Sequence, residues 1–185
     1  MILPITAYGD PILRQEAEEI NKDYPELHKL IEDMFETMHH AEGVGIAAPQ
    51  VNKSIRLFVV DTTPVTEEDE EELDLKAAFI NPEILEYTGD EWVMQEGCLS
   101  IPSVHENVSR PEFIKIKYLD ENFVEHTQTF GGYAARVIQH EYDHLDGEMF
   151  IDHVGALRKR MIKSKLMNIT KGLVRTSYRM VPPKK

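Results

Sequence analysis

The spacing of apolar residues predicts one helix near each end of the chain. Between about Pro25 and Ala41, apolar side chains recur three and four residues apart, the period of one buried helix face. These positions are Leu27, Leu30, Ile31, Met34, Phe35 and Met38. Pro25 suits the first helical position, and Gly43 ends the segment. A last helix is predicted from about Val154. Its apolar positions are Leu157, Met161, Leu166, Ile169 and Leu173.

Alternating or continuous apolar runs predict strands between these helices. They fall at residues 55–60, 77–80, 83–88, 91–95, 106–109, 113–118 and 123–130. Turns are predicted at 81–82 and 89–90, and a hairpin at 120–122. Residues 1–20 read as an extended lead-in with a turn at 9–11. Strands bounded by helices favour an α+β domain, with antiparallel or mixed sheets packed around a central helix.

That central helix carries the main candidate chemistry. Gly132 opens it, Gly147 ends it, and between them stand His140, Glu141 and His144. Two histidines four residues apart lie on one helix face, so they can bind one divalent metal ion. Glu141 can then reach a metal-bound water. This H-E-x-x-H pattern predicts metal-assisted hydrolysis, and an ordinary amphipathic helix with two histidines is the alternative.

Length and cysteine usage narrow the class of protein. A chain of 185 residues suits one domain with its own core. Its single cysteine, Cys98, rules out an intramolecular disulfide and favours a reducing compartment. No segment approaches the ~20 apolar residues of a membrane span. We therefore expect a cytoplasmic protein with no membrane partner.

Charge is distributed unevenly along the chain. The net charge is −13, yet residues 158–185 contain ten Lys or Arg and no Asp or Glu. The acidic remainder argues against DNA binding, whereas the basic tail suits ribosomal RNA or is simply a solvated helix. Residues 67–74 hold seven acids in eight positions, which predicts an exposed insertion spanning about 62–76. We divide the chain into a catalytic domain, 1–157, and a basic helix and tail, 158–185.

An H-E-x-x-H site needs a third protein ligand. No glutamate follows Glu148, and Phe150 occupies the position at which an extended motif would place a third histidine. Cys98 is the best candidate, because a thiolate binds zinc or ferrous iron strongly and Gly97 leaves room beside it. A small buried hydrophobic role for Cys98 is the alternative. The other histidines are His28, His39, His40, His105, His126 and His153.

Three segments together resemble the peptide deformylase family. They are Gly43-x-Gly45-x-Ala47-Ala48-x-Gln50, Glu96-Gly97-Cys98-Leu99-Ser100 and His140-Glu141-x-x-His144. The resemblance covers roughly residues 1–155, and the three motifs in this order are highly specific.

The resemblance implies a reaction and roles for particular residues. Cys98, His140 and His144 would hold Fe²⁺, for which Zn²⁺, Ni²⁺ or Co²⁺ can substitute. The reaction would remove the N-formyl group from the formyl-methionine of nascent polypeptides and release formate. Metal-bound hydroxide would attack the formyl carbon, with Glu141 as general base and then acid. Gln50 and the Leu99 N–H group would form the oxyanion hole.

The resemblance also implies substrate contacts. Backbone groups of Gly45 and Ile46 would pair with the peptide as a strand does. The apolar pocket for the methionine side chain would be formed by Ile46, Tyr133, Val137 and the Cβ side of His140.

Other features leave alternatives open. Arg136 either lines the pocket mouth with its aliphatic stem or faces solvent, while Arg110 and Glu96 read as a structural ion pair. In some family members the C-terminal helix docks on the ribosome, so ribosome contact is an expectation for 158–185. A general H-E-x-x-H metallopeptidase and a non-catalytic, ribosome-associated metal-binding protein are the alternative functions.

Overall fold

The computed structural model describes residues 1–64 and 74–183. The predicted acidic run lies, except for Asp74, outside these residues. The helices are α1 (Leu27–His40), α2 (Gly132–Leu145) and α3 (Ala156–Thr170). The strands are β1 (Ile5–Thr6), β2 (Gly45–Ala47), β3 (Leu57–Asp61), β4 (Lys76–Cys98), β5 (Ile101–Leu119), β6 (Glu125–Phe130) and β7 (Met180–Val181). Short 3-10 helices occupy Pro11–Arg14, Ala48–Val51 and Phe150–His153.

The main sheet is antiparallel and lies between two helices. Its five strands follow the order β2-β3-β4-β5-β6. Side chains of β3 alternate between its faces: Leu57 and Val59 join the apolar cluster of α1, whereas Phe58 and Val60 join that of α2. The helix that carries the H-E-x-x-H motif therefore packs on one face of the sheet. The α+β prediction is confirmed.

The middle strands are longer than predicted. The three strands expected at 77–95 form the single strand β4, and those expected at 106–118 belong to β5. The turns predicted at 81–82 and 89–90 are wrong, because the positions form irregularities in the ladder with β5. Asn81 and Gly89 take positive φ angles of 46° and 79° there. A bulge accommodates such residues while the neighbouring strand continues the pairing.

The helix ends agree with the glycine signals better than with the proline signal. Helix α1 begins at Leu27 rather than Pro25, since Glu26 has φ 54° and cannot be part of the helix. The chain leaves α1 with the Gly43 N–H group bonded to the Met38 carbonyl. Helix α2 occupies the predicted segment, and Gly147 (φ 73°) follows its end.

The C-terminal segment packs on the body of the protein. Helix α3 buries Ile162 and Ile169, two turns apart, in a third apolar cluster. The predicted stripe is wrong at Leu157, Met161 and Leu173, which are exposed. Beyond α3 the chain returns, and β7 pairs in parallel with β1. None of the described helices has the length and apolar character needed to cross a membrane.

Candidate active site

A cavity of about 610 Å³ opens where α2 meets the end of β4. Four parts of the chain line it: residues 41–45 with Gln50, residues 94–105 apart from Ser100, helix α2 and residues 175–178. The volume lies in the range of small-ligand sites. Most of the motif residues from the sequence are brought together here.

Three candidate metal ligands lie together at this cavity. His140 and His144 are buried on α2, and Cys98 is the last residue of β4. Cys98 Sγ lies 3.4 Å from His144 Nε2. One ligand atom from each of the three residues lies within 4.8 Å of the other two. One thiol and two imidazoles at this spacing form a group that could hold a metal ion.

The orientation of His140 and the protonation state of His144 suit metal binding. His140 donates from Nδ1 to Glu96 Oε1 at 3.0 Å, which turns its Nε2 toward Cys98. Burial lowers the pKa of His144 to about 3, so its imidazole is neutral, the form that binds metals. Buried His144 Nδ1 has no hydrogen-bond partner among the described residues. Soft thiolate with imidazole suits Zn²⁺ or Fe²⁺ better than Mg²⁺ or Ca²⁺.

Glu141 is a buried carboxylate without full pairing. Its Oε2 atom has no hydrogen-bond partner within the described chain. Burial raises the pKa of Glu141 to about 7, a value suited to taking and giving a proton at neutral pH. A Cβ atom added to Gly45 would lie only 2.6 Å from Glu141 Oε1. The glycine therefore lets β2 pass directly over this carboxylate.

Glu96 has the opposite environment. Arg110 donates to both of its oxygens at 2.8 and 3.0 Å, Arg136 donates at 2.9 Å, and His140 donates at 3.0 Å. Burial would raise the pKa of Glu96, but the hydrogen bonds from His140 and Arg110 hold it far below the usual range. The predicted ion pair with Arg110 is present, and it extends to Asp143 at 2.8 Å.

Arg136 belongs to this buried network. Its guanidinium donates to the carbonyls of Val108 and Trp92 and lies 4.5 Å from the Trp92 ring centre. Of the two alternatives for Arg136, the one in which it faces solvent is wrong, because the residue is 2% exposed. Arg136 also contributes to the cavity wall, as the other alternative required.

Gln50 presents a fixed donor at the cavity. Its Oε1 accepts from the Ala47 N–H group at 2.8 Å, so the amide can point only one way. Its Nε2 then donates to Ser100 Oγ at 3.2 Å and to Cys98 Sγ at 3.4 Å. The amide nitrogen therefore lies beside the candidate metal ligands.

The predicted substrate residues divide into two groups. Gly45, Tyr133 and Val137 line the cavity, as does Leu99, the predicted oxyanion donor. The side chain of Ile46 does not, because it is fully buried in the cluster that packs against α1. Only the backbone of Ile46 remains a candidate for contacts with a peptide.

Two features of the site are not predicted by the sequence. The sequence indicates Glu96 only as a partner of Arg110, although it also orients His140. Glu96 stands two residues before Cys98 on one strand, so the two side chains point to the same face. This spacing is a sequence signal that places Glu96 near the candidate metal ligand. Tyr178 donates its hydroxyl to the Leu99 carbonyl at 2.8 Å, and nothing in the local sequence around it predicts this contact.

A buried, incompletely paired carboxylate beside a Cys-His-His group in a cavity is the arrangement of a metal-dependent hydrolase. The family model described as polypeptide deformylase matches residues 2–160. The chain belongs to this family of enzymes.

Relatives and solved structures agree with that membership. A peptide deformylase from Christiangramia forsetii is 52% identical over 187 residues, covering 97% of this chain and 95% of the relative. One from Cytophaga hutchinsonii is 50% identical over 183 residues, covering 99% and 98%. The crystal structure from Thermotoga maritima has a TM-score of 0.75 at 42% identity, covering 84% of this chain and 99% of that one. A peptide deformylase structure from Legionella pneumophila has a TM-score of 0.82 at 36% identity, covering 95% of this chain and 99% of that one.

Proposed function

We propose that this chain removes the formyl group from the N-terminal formyl-methionine of nascent polypeptides and releases formate. The observation that carries the proposal is the Glu141 carboxylate, buried and incompletely paired beside Cys98, His140 and His144. Membership of the deformylase family supports action on formylated nascent peptides.

Cys98, His140 and His144 would hold the metal ion, which we propose to be Fe²⁺, with Zn²⁺, Ni²⁺ or Co²⁺ as substitutes. When bound, the ion would lower the pKa of a water molecule and polarise the formyl oxygen. The hydrogen bond from His140 to Glu96 supports the assignment, since it fixes the ring orientation that a ligand needs.

Glu141 would move the proton. Its carboxylate would accept a proton from the attacking water and then donate it to the departing amine. A pKa of about 7 supports both halves of this task at neutral pH. The close passage of Gly45 over this carboxylate supports a substrate bond placed directly beside it.

Gln50 and Leu99 would stabilise the oxyanion that develops on the formyl oxygen. The Gln50 amide is held by Ala47, so its N–H group requires no reorganisation when charge appears. The Leu99 backbone N–H group is the second proposed donor, on the residue that follows Cys98.

The peptide would bind along β2. Among the described residues this strand is at the edge of the main sheet, paired with β3 alone, and it borders the cavity. Backbone groups of Gly45 and Ile46 can therefore pair with an extended peptide. Tyr133 and Val137 would form the apolar pocket for the methionine side chain.

The broader setting also stays a proposal. We propose a cytoplasmic enzyme with one catalytic domain, 1–157, followed by a basic segment, 158–185, that contacts the ribosome. The ten Lys and Arg residues of this segment support an anionic partner.

The test is formate release from formyl-Met-Ala-Ser by protein purified anaerobically and loaded with Fe²⁺. Met-Ala-Ser and acetyl-Met-Ala-Ser serve as controls, and neither should be cleaved. Cleavage of an internal peptide bond would favour the general metallopeptidase. Absence of formate release by metal-loaded protein would contradict the proposal.

A further inference from the structure

The turn between β4 and β5, formed by Leu99 and Ser100 and called the 99–100 turn, is held from three directions. The Tyr8 N–H group donates to the Ser100 carbonyl at 2.9 Å. Gln50 Nε2 donates to Ser100 Oγ at 3.2 Å. The Tyr178 hydroxyl donates to the Leu99 carbonyl at 2.8 Å. Three segments far apart in sequence thus converge on two residues.

The position of Tyr178 is determined by the return of the C-terminal segment along β1. The Ile5 N–H group donates to the Arg179 carbonyl at 2.8 Å, and the Ala7 N–H group donates to the Val181 carbonyl at 2.9 Å. These bonds lie on either side of the β1–β7 pairing. Residues 175–178 consequently line the cavity, although they lie beyond the part of the chain that the family model matches.

Leu99 is restrained through both its side chain and its carbonyl. A Cβ atom added to Gly43 would lie 2.9 Å from Leu99 Cδ1, so the leucine side chain packs directly against this glycine. Tyr178 restrains the carbonyl and hence the backbone rotation between Cα and the carbonyl carbon. With these two restraints and Cys98 preceding it, the residue has little freedom to turn its N–H group.

We propose that Tyr178 is a positioning residue that holds Leu99 so that its N–H group faces the reacting formyl oxygen. The inference rests on the proposed function, because it needs the oxyanion role assigned to Leu99. An oxyanion donor is effective only if it is oriented before charge develops. The C-terminal segment, predicted from sequence as a basic tail, thereby becomes part of the active-site wall.

Packing alone is the rival explanation, since the Tyr178 ring also contacts the apolar cluster that contains α1. Tyr178→Phe separates the two, because it keeps the ring and removes only the hydroxyl. Tyr24→Phe is the matched control: this half-buried tyrosine packs on the same cluster but does not line the cavity.

The experiment compares kcat and KM for formyl-Met-Ala-Ser in metal-loaded wild type, Tyr178→Phe and Tyr24→Phe, with metal content and Tm measured for each. Tyr178→Phe is expected to lower kcat about five- to tenfold, the worth of one hydrogen bond, with KM and metal content unchanged and Tm lowered by no more than about 4 °C. Tyr24→Phe should match wild type. In zinc-loaded protein, amide hydrogen exchange at Leu99 should quicken by a similar factor in Tyr178→Phe alone.

Wild-type kcat and Leu99 exchange in Tyr178→Phe would overturn the inference and leave the proposed function intact. A kcat loss accompanied by weaker metal binding and a decrease in Tm larger than one hydrogen bond explains would also overturn it, since that pattern marks a structural role. Absence of formate release by the wild type would overturn the proposed function, and with it this inference.

Discussion

Two buried carboxylates flank His140, and their surroundings differ in kind. Glu96 is 7% exposed and accepts hydrogen bonds from two arginines and His140. Glu141 is 4% exposed, and one of its oxygens has no partner in the described chain. The pKa of Glu96 lies far below its usual value, whereas burial raises that of Glu141 to about 7.

This difference assigns a structural role to Glu96 and a chemical role to Glu141, although both lie beside His140. A fully paired carboxylate keeps its charge, orders its partners and gives up no proton near neutral pH. An incompletely paired one is poised to exchange a proton, and folding alone gives no reason to keep it. We therefore expect substitutions on the Glu96 side to change stability and those on the Glu141 side to change turnover.

The largest effect is expected from Glu141→Gln. Loss of the proton carrier should lower kcat by about 10²- to 10⁴-fold at unchanged metal content. The free energy of unfolding should stay within about 1 kcal/mol of wild type, because Oε2 has no hydrogen bond to lose. Formate release and urea unfolding measure the two quantities. Glu148→Gln, at an exposed carboxylate, is the control and should change neither.

Glu96→Gln, unlike Glu141→Gln, should lower the free energy of unfolding substantially. Arg110 and Arg136 would keep buried charges without their shared counter-ion, at a cost of about 3–5 kcal/mol in the free energy of unfolding. Glu83→Gln on the same strand breaks only an exposed pair with Lys117 and should cost less than about 1 kcal/mol. Urea unfolding measures both variants. Equal losses in the free energy of unfolding for Glu96→Gln and Glu83→Gln would contradict the structural role assigned to Glu96.

Gln50→Ala sharpens the contrast at the cavity. Removal of one oxyanion donor should lower kcat about a hundredfold. Gln139→Ala is the matched control, because this glutamine is equally buried but donates to the Pro111 carbonyl away from the cavity. Steady-state kinetics on formyl-Met-Ala-Ser should show a loss of less than about tenfold in the control. Similar losses in both variants would point to damaged packing instead.

The smallest effect concerns a paired carboxylate remote from the site. Asp61 is buried and accepts from His39 at 2.8 Å and from Thr63. Burial opposes ionisation, but these hydrogen bonds lower the pKa of Asp61 below its usual value. Its stabilising contribution is therefore complete above the unfolded-state pKa, near 4, and is lost as pH falls through the lower folded-state value.

Asp61→Asn should accordingly lower the free energy of unfolding by about 1–2 kcal/mol at pH 7 and by much less at pH 3. Asp90→Asn, at an exposed aspartate, should change little at either pH. Denaturant unfolding at the two pH values is the measurement. A deficit that stays constant with pH would show that Asp61 does not behave as a paired carboxylate.

Much of the site was predictable because its chemistry is local. Helical spacing places His140 and His144 together, and the missing alternatives leave Cys98 as a candidate partner. Long-range geometry was not predictable. The continuity of β4 depends on its neighbour β5, which carries the pairing past Asn81 and Gly89. The Tyr178 contact depends on the return of the chain along β1, for which the sequence offers no periodic signal.

The central claim is that Cys98, His140 and His144 form one metal centre beside the incompletely paired Glu141 carboxylate. X-ray absorption spectroscopy of protein loaded with one equivalent of Zn²⁺ tests it directly. One sulfur and two imidazole nitrogens are predicted as ligands, with the sulfur lost in Cys98→Ser. A spectrum without sulfur, or one that Cys98→Ser leaves unchanged, would contradict the account.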